Sequence, residues 1–189
     1  MTKEIANMKF FEEKLDEDKH FKEISDFVCS ENESLEIFLK CHAIKYHNNS
    51  QGMTYIIKMN NKIIAFYTLK CNAVQVKDTN GKECIPMVEL ARLAVDSDYQ
   101  CKGYGTVIFL GYMLPKILHV RDLIAAKAIM VFVEKEDKNA INFYKKVGFK
   151  MADEKVQNHI EEWYSEGCSI MVLNLDTAEE ILRQIQEEN

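Results

Sequence analysis

The run Gln100-Cys101-Lys102-Gly103-Tyr104-Gly105-Thr106 follows a strand-like apolar stretch and opens a helix-like one. Glycines at such a junction let the backbone approach a ligand closely. The first N–H groups of a helix have no partner within it, and the helix dipole adds to their positive potential. A turn of this kind can hold a pyrophosphate through main-chain donors, with Lys102 adding one positive charge. The same spacing also suits a plain strand-to-helix turn. It is too short for a Walker phosphate loop and lacks the third glycine of the dinucleotide fingerprint.

A second chemical candidate is Glu89, inside Val88-Glu89-Leu90-Ala91-Arg92-Leu93-Ala94-Val95. Strand side chains alternate, so Glu89 shares a face with Ala91, Leu93 and Val95, while Arg92 points the other way. A carboxylate among Val88, Leu90 and Leu93 suits a general base, although pairing with a lysine across the strand would explain it equally. For Arg92 the pattern favours a salt bridge or a helix-end cap. The six cysteines (Cys29, Cys41, Cys71, Cys84, Cys101, Cys168) form no C-x-x-C pair, and the five histidines are scattered. That spacing carries neither a zinc signature nor a disulfide framework, so no metal is expected.

These candidates need elements to position them. Leu35, Phe38, Leu39, Ala43 and Tyr46 recur at helical spacing and predict a helix over 34–46, with Ser34 as its N-cap. Residues 53–59 and 62–69 read as strands joined by an Asn60-Asn61 hairpin turn. The second could run on to Val76, and Gly81 closes the next turn before a third strand over 84–95. A helix then begins near Tyr104, with Pro115 expected to kink or split it. A strand over 127–133, a helix over 138–147 stopped by Gly148, a strand over 168–175 and a charged tail helix complete the order. The pattern is an α/β fold with a mixed sheet. It is divided as a domain over 1–175 and an acidic tail over 176–189, packed on that domain or trailing it.

Composition sets the outer limits. The 189 residues are 47% hydrophobic and 29% charged, a globular balance for one domain. No apolar run is long enough to span a membrane, and no apolar leader is present at the N-terminus, so a cytoplasmic location is expected. The net charge of −6 argues against general nucleic-acid binding. Its distribution is uneven: residues 58–150 carry 15 basic and 9 acidic side chains, and both flanks are acidic. A basic middle suits a small anionic ligand.

Two segments carry a resemblance. VELARLAVDSDYQCKGYGT, Val88 to Thr106, resembles motif A of the GNAT superfamily of N-acetyltransferases, Q/R-x-x-G-x-G/A. AINFYKKVGF, Ala140 to Phe149, resembles that superfamily's motif B, A-x-x-F-Y-x-x-x-G-F. The resemblance covers roughly residues 8–175. It implies a single-domain GNAT-like fold, a mixed central sheet splayed at an acetyl-CoA site and flanked by helices.

Acetyl-CoA would be the cosubstrate. Its pyrophosphate would lie on the amides of Cys101, Lys102, Gly103, Tyr104, Gly105 and Thr106, after Gln100. Its pantetheine arm would pair with the backbone around Leu93, Ala94 and Val95. Lys102, Lys138, Lys145 and Lys146 are candidates for a cationic rim. Tyr144 matches the family tyrosine that donates a proton to the departing sulfur. Glu89 resembles the glutamate base of the histone-acetylating branch, acting directly or through water. Two departures stand out. Cys101 replaces the usual Gly or Arg, and Asp137 sits where many members have an Asn that touches CoA, leaving Asn139 as a substitute.

The resemblance leaves the acceptor open. A small-molecule or protein amine is the main expectation. Phe27-Val28-Cys29-Ser30, Leu35 and Phe38-Leu39 are also similar to the N-terminal F-x-C-G … L-x-x-F-L segment of GNAT toxins that acetylate aminoacyl-tRNA. Here Ser30 replaces Gly, and one extra residue precedes Leu35. A non-catalytic acyl-CoA-binding module is a further alternative. Trp163 and Tyr164 are candidate acceptor-pocket residues, and a homodimer through the last strand or tail helix follows by family analogy.

Overall fold

The computed structural model describes residues 9–78, 81–154, 156–157 and 167–187. Seven strands form one mixed sheet: β1 (Phe11–Lys14), β2 (Met53–Met59), β3 (Lys62–Asp78), β4 (Gly81–Val95), β5 (Ala128–Glu134), β6 (Lys150–Met151) and β7 (Cys168–Asn174). Their order is β1-β2-β3-β4-β5-β7-β6. The helices are α1 (Glu17–Ser25), α2 (Glu33–Ile37), α3 (Ala43–Asn48), α4 (Tyr104–Ile108), α5 (Leu114–Ile124), α6 (Lys138–Lys146) and α7 (Leu175–Glu187). The chain forms two compact units, 1–70 with 91–112, and 71–90 with 113–189.

In the first unit, Asn60 and Asn61 both adopt left-handed backbone angles, φ 51° and 62°. That is the type I′ geometry whose twist matches antiparallel strands, and it sets the β2–β3 register from Met59↔Lys62 outward. The expected helix over 34–46 is present as α2 and α3, joined by a π-helical turn over Phe38–His42. Its N-cap is Asn32 instead of Ser34, whose hydroxyl donates to Asn32 Oδ1 at 2.5 Å. The core packs Phe27, Phe38, Leu39, Ala43, Ile56, Phe66 and Ala94 together. Sequence reading missed β1 and α1. β1 is four residues, two of them glutamates, and gains its order by pairing with β2. α1 is opened by Asp16, whose carboxylate accepts from Lys19 N–H at 2.9 Å.

In the second unit, β5 and β7 pair antiparallel over seven residues, from Ala128↔Asn174 to Glu134↔Cys168. The parallel β4–β5 ladder is much shorter. It runs from Met87↔Ala128 to Glu89↔Met130 and ends there. Gly148 ends α6 at φ +101°, and a Cβ built on it would lie 2.7 Å from Ile181 Cδ1. α7 is held by buried Leu175 and Ala178, with Arg121 Nη2 donating to Glu179 Oε2 at 3.0 Å. Pro115 lies near the start of α5 in a helical run continuous from Tyr104 to Ile124, where it has no N–H to donate to the preceding turn. The irregularity expected at Pro115 is the π-helical turn Phe109–Met113 just before it.

Candidate functional site

β4 runs to Val95 and turns sharply at Asp96. Asp96 N–H donates to Ile64 O at 2.8 Å, and its carboxylate accepts from Asp98 N–H at 3.1 Å, starting a short 3₁₀ turn over Ser97–Tyr99. Gln100 then turns its side-chain amide back to Val95 O at 2.9 Å, tying the loop to the strand it leaves. Cys101 (φ 58°) and Gly103 (φ 92°) both adopt left-handed geometry. For Gly103 this is free of steric cost, whereas Cys101 carries strain of order ~1 kcal/mol.

The two left-handed residues aim the loop backbone. The N–H groups of Cys101, Lys102 and Gly103 have no hydrogen-bond acceptor among the described residues. Gly103 caps α4 without any side-chain bond. Thr106 N–H is engaged in the first helical turn, donating to Gly103 O at 3.1 Å. Lys102 is exposed and its ammonium donates to Asp98 O at 2.6 Å. Tyr104 is buried, its ring edge-on to Tyr99 and Phe10 at 5.5 and 5.9 Å. Unsatisfied donors at an uncapped helix start suit an anion, which fits the pyrophosphate expected there.

On β4 itself, Ala94 is buried in the core of the first unit, while Leu93 and Val95 are half-buried. Both lie beyond Glu89, the last β4 residue in the β4–β5 ladder. Arg92 makes a cation–π contact instead of the expected salt bridge or cap. Its guanidinium lies 5.0 Å from the Phe38 ring centroid, and Nη1 donates to Ala91 O.

In the second unit, Glu89 is 2% exposed and accepts from Asn72 Nδ2 at 2.6 Å. Asn72 Oδ1 in turn accepts from Ala73 N–H at 2.7 Å, which fixes the orientation of the amide. Asn72 was not found from sequence, because β3 also carries Lys70, Gln75 and Lys77 around it and one more polar residue there does not stand out. Tyr144 on α6 is 7% exposed, packed edge-on against Phe143 and Phe149. Its hydroxyl has no hydrogen-bond partner among the described residues. Burial pushes its pKa well above the ordinary tyrosine value, and the Asp137 carboxylate pushes the same way. The phenol is therefore protonated at any physiological pH. Asp137 itself caps α6, its Oδ1 accepting from Ala140 N–H at 2.9 Å, and Asn139 is exposed in the first turn. Lys138, Lys145 and Lys146 are exposed on the same helix. Trp163 and Tyr164 lie outside the described residues.

Among the described residues no group of three or more His, Cys, Asp or Glu could hold a metal ion. Nor is any described helix long and apolar enough to cross a membrane.

The acetyltransferase (GNAT) family pattern matches residues 18–149, most of the chain and both motifs. The chain belongs to the GNAT acetyltransferase family. It is accordingly an acetyltransferase, and the family's donor is acetyl-CoA. It is similar to a tRNA-acetylating toxin of Mycobacterium tuberculosis, 25% identical over 125 residues, covering 63% of this chain and 74% of that one. Among solved structures it resembles the AtaT toxin, in a mutant bound to acetyl-CoA and the C-terminus of the antitoxin AtaR. There the TM-score is 0.71 at 21% identity, covering 92% of this chain and 97% of that chain. AtaT complexed with acetyl-methionyl-tRNAfMet matches with a TM-score of 0.71 at 21% identity, covering 92% of this chain and 99% of that one. These GNAT structures share the α/β architecture with its mixed sheet.

Proposed function

We propose that this enzyme transfers an acetyl group from acetyl-CoA directly to the amino group of an aminoacyl-tRNA. The observation that supports this acceptor is the similarity to the curated tRNA-acetylating toxin, 25% identical over 125 residues. The segment Phe27–Ser30 with Leu35, Phe38 and Leu39 agrees with it. Chemistry agrees as well. An α-amino group has a pKa of about 8, against about 10 for a lysine side chain. Much of it is neutral at pH 7–8, so the demand on an enzymic base is small.

In this reading the free N–H groups of Cys101, Lys102 and Gly103 bind the pyrophosphate, and Leu93 and Val95 offer backbone to the pantetheine arm. The amine nitrogen attacks the thioester carbonyl carbon, the C–S bond breaks, and the sulfur takes the Tyr144 phenol proton. The proton lost by the amine passes to Glu89, directly or through water. In support of the donor role, the Tyr144 phenol carries its proton and nothing among the described residues competes for its hydroxyl. The reaction belongs in the cytoplasm, where charged tRNA is found.

The acidic flanks keep a second reading in view: a small cationic amine or a protein lysine as acceptor. Incubation with radiolabelled acetyl-CoA and charged tRNA, beside a panel of polyamines and lysine peptides, separates the two. Label in tRNA, with growth arrest on expression that Tyr144→Phe abolishes, supports the tRNA reading. Label only in the small amines or peptides refutes it. Absence of CoA thiol release with every acceptor would leave only an acyl-CoA-binding module.

A further inference from the structure

The segment similar to that of GNAT toxins, Phe27-Val28-Cys29-Ser30, lies against the loop that follows β4. Ser97 N–H donates to Val28 O at 2.8 Å, and Val28 N–H donates to Asp96 Oδ2 at 3.2 Å. Ser30 N–H donates to Ser97 Oγ at 2.9 Å, and the two hydroxyls are 2.8 Å apart. The Gln100 amide that holds Val95 O also lies 3.7 Å from Cys29 Sγ. The segment is itself anchored. Phe27 is fully buried edge-on to Phe66, and Cys29 N–H donates to Glu36 Oε2 at 2.8 Å.

Asp96 is the centre of this network. It is 1% exposed, yet its carboxylate takes donors from three separate parts of the chain: Val28 N–H, Asp98 N–H and Lys62 Nζ at 3.2 Å. A turn cap needs only the Asp98 bond. The bonds to Val28 and Lys62 cross 68 and 34 residues of sequence and tie the loop to two distant segments. Ser30, where the similar toxin segment has glycine, supplies a hydroxyl that glycine lacks.

We propose that Phe27–Ser30 is a brace for the pyrophosphate loop, and that Asp96, Ser97 and Ser30 are positioning residues that set acetyl-CoA affinity. This rests on the assignment of the pyrophosphate to the loop from Cys101 to Gly103. Fixing a residue's backbone costs conformational entropy. A loop held in shape before the ligand arrives does not pay that cost on binding, so affinity rises with no new contact to the ligand. The brace acts on the donor half of the reaction, whatever the acceptor.

The test uses the full chain and needs no acceptor. Dissociation constants for acetyl-CoA are measured by calorimetry, and those for acetylpantetheine, which lacks the pyrophosphate, by NMR titration. Thermal unfolding is followed for every variant. Ser97→Ala is expected to weaken acetyl-CoA about fivefold and Asp96→Asn about tenfold or more, from the lost hydrogen bonds. Acetylpantetheine binding stays unchanged, and Ser97→Thr, which keeps the hydroxyl, recovers the affinity. Ser30→Gly in the Ser97→Ala background adds less than it does alone, because both report on one contact. Equal weakening of both ligands, or unchanged acetyl-CoA affinity in Ser97→Ala, overturns the brace. If the wild type binds the two ligands equally well, the pyrophosphate assignment fails and the brace with it. Should Asp96→Asn not fold, the serine variants decide.

Discussion

Tyr144→Phe removes one oxygen from a position where nothing among the described residues depends on it. The ring is 7% exposed and stays packed edge-on against Phe143 and Phe149, at centroid distances of 5.1 and 5.3 Å. Among the described residues the hydroxyl has no partner to orphan, so stability should change by less than about 1 kcal/mol. The kinetic effect should be far larger. A positioned general acid contributes roughly 10²–10⁴-fold, equivalent to about 3–5 kcal/mol of transition-state stabilisation. The two magnitudes differ enough to be told apart. The assay is thiol release from acetyl-CoA with charged tRNA as acceptor, beside thermal unfolding and the acetyl-CoA dissociation constant. The expected result is a kcat at least about a hundredfold lower, with unfolding temperature and acetyl-CoA affinity unchanged. A Tyr144→Phe variant within about threefold of wild type would falsify the proton-donor role, since that is too small for a lost general acid. A variant that loses rate and stability together would show the phenol to be structural.

Other outcomes follow from the same geometry. Glu89→Gln should slow turnover most at low pH, where more of the amine is protonated and a proton acceptor is needed; an unchanged rate across pH 6–9 removes Glu89 from the chemistry. Gly148→Ala should cost about 1–2 kcal/mol in denaturant unfolding, because φ +101° is left-handed territory and the methyl would press on Ile181 Cδ1. A cost near zero would show that the end of α6 can rearrange. Burial raises both Tyr67 and Tyr144 far above the usual tyrosine pKa, with the Glu12 carboxylate also raising Tyr67 and Asp137 also raising Tyr144. Unfolded tyrosines lose their protons near pH 10 while these two keep theirs, so the stability they contribute is complete below about pH 10 and declines above it. Tyr67→Phe should flatten that alkaline decline, and the same slope in wild type and variant would contradict the assignment.

Much of the candidate donor site was legible because its signals are local. Gly103 at a strand-to-helix junction, the Asn60-Asn61 turn and the Gly148 stop each act through backbone angles of one or two residues, and each has the geometry its sequence implies. Tyr144 is a candidate acid through the motif around it, since burial alone does not separate a core tyrosine from an acid. The membership of the family could be read for the same reason, from two short motifs in order.

What the sequence alone determined, then, was the type of most elements, the turn chemistry and the candidate residues for acetyl-CoA. Tertiary structure decided their partners. Asn72 reaches Glu89 across 17 residues, and Asp96 collects Val28 and Lys62 from 68 and 34 residues away. β1 exists only because β2 offers it an edge. Propensity and spacing describe what a segment does with its near neighbours. A hydrogen bond between distant segments depends on which backbones the folded sheet brings within about 3 Å, and no local pattern encodes that distance.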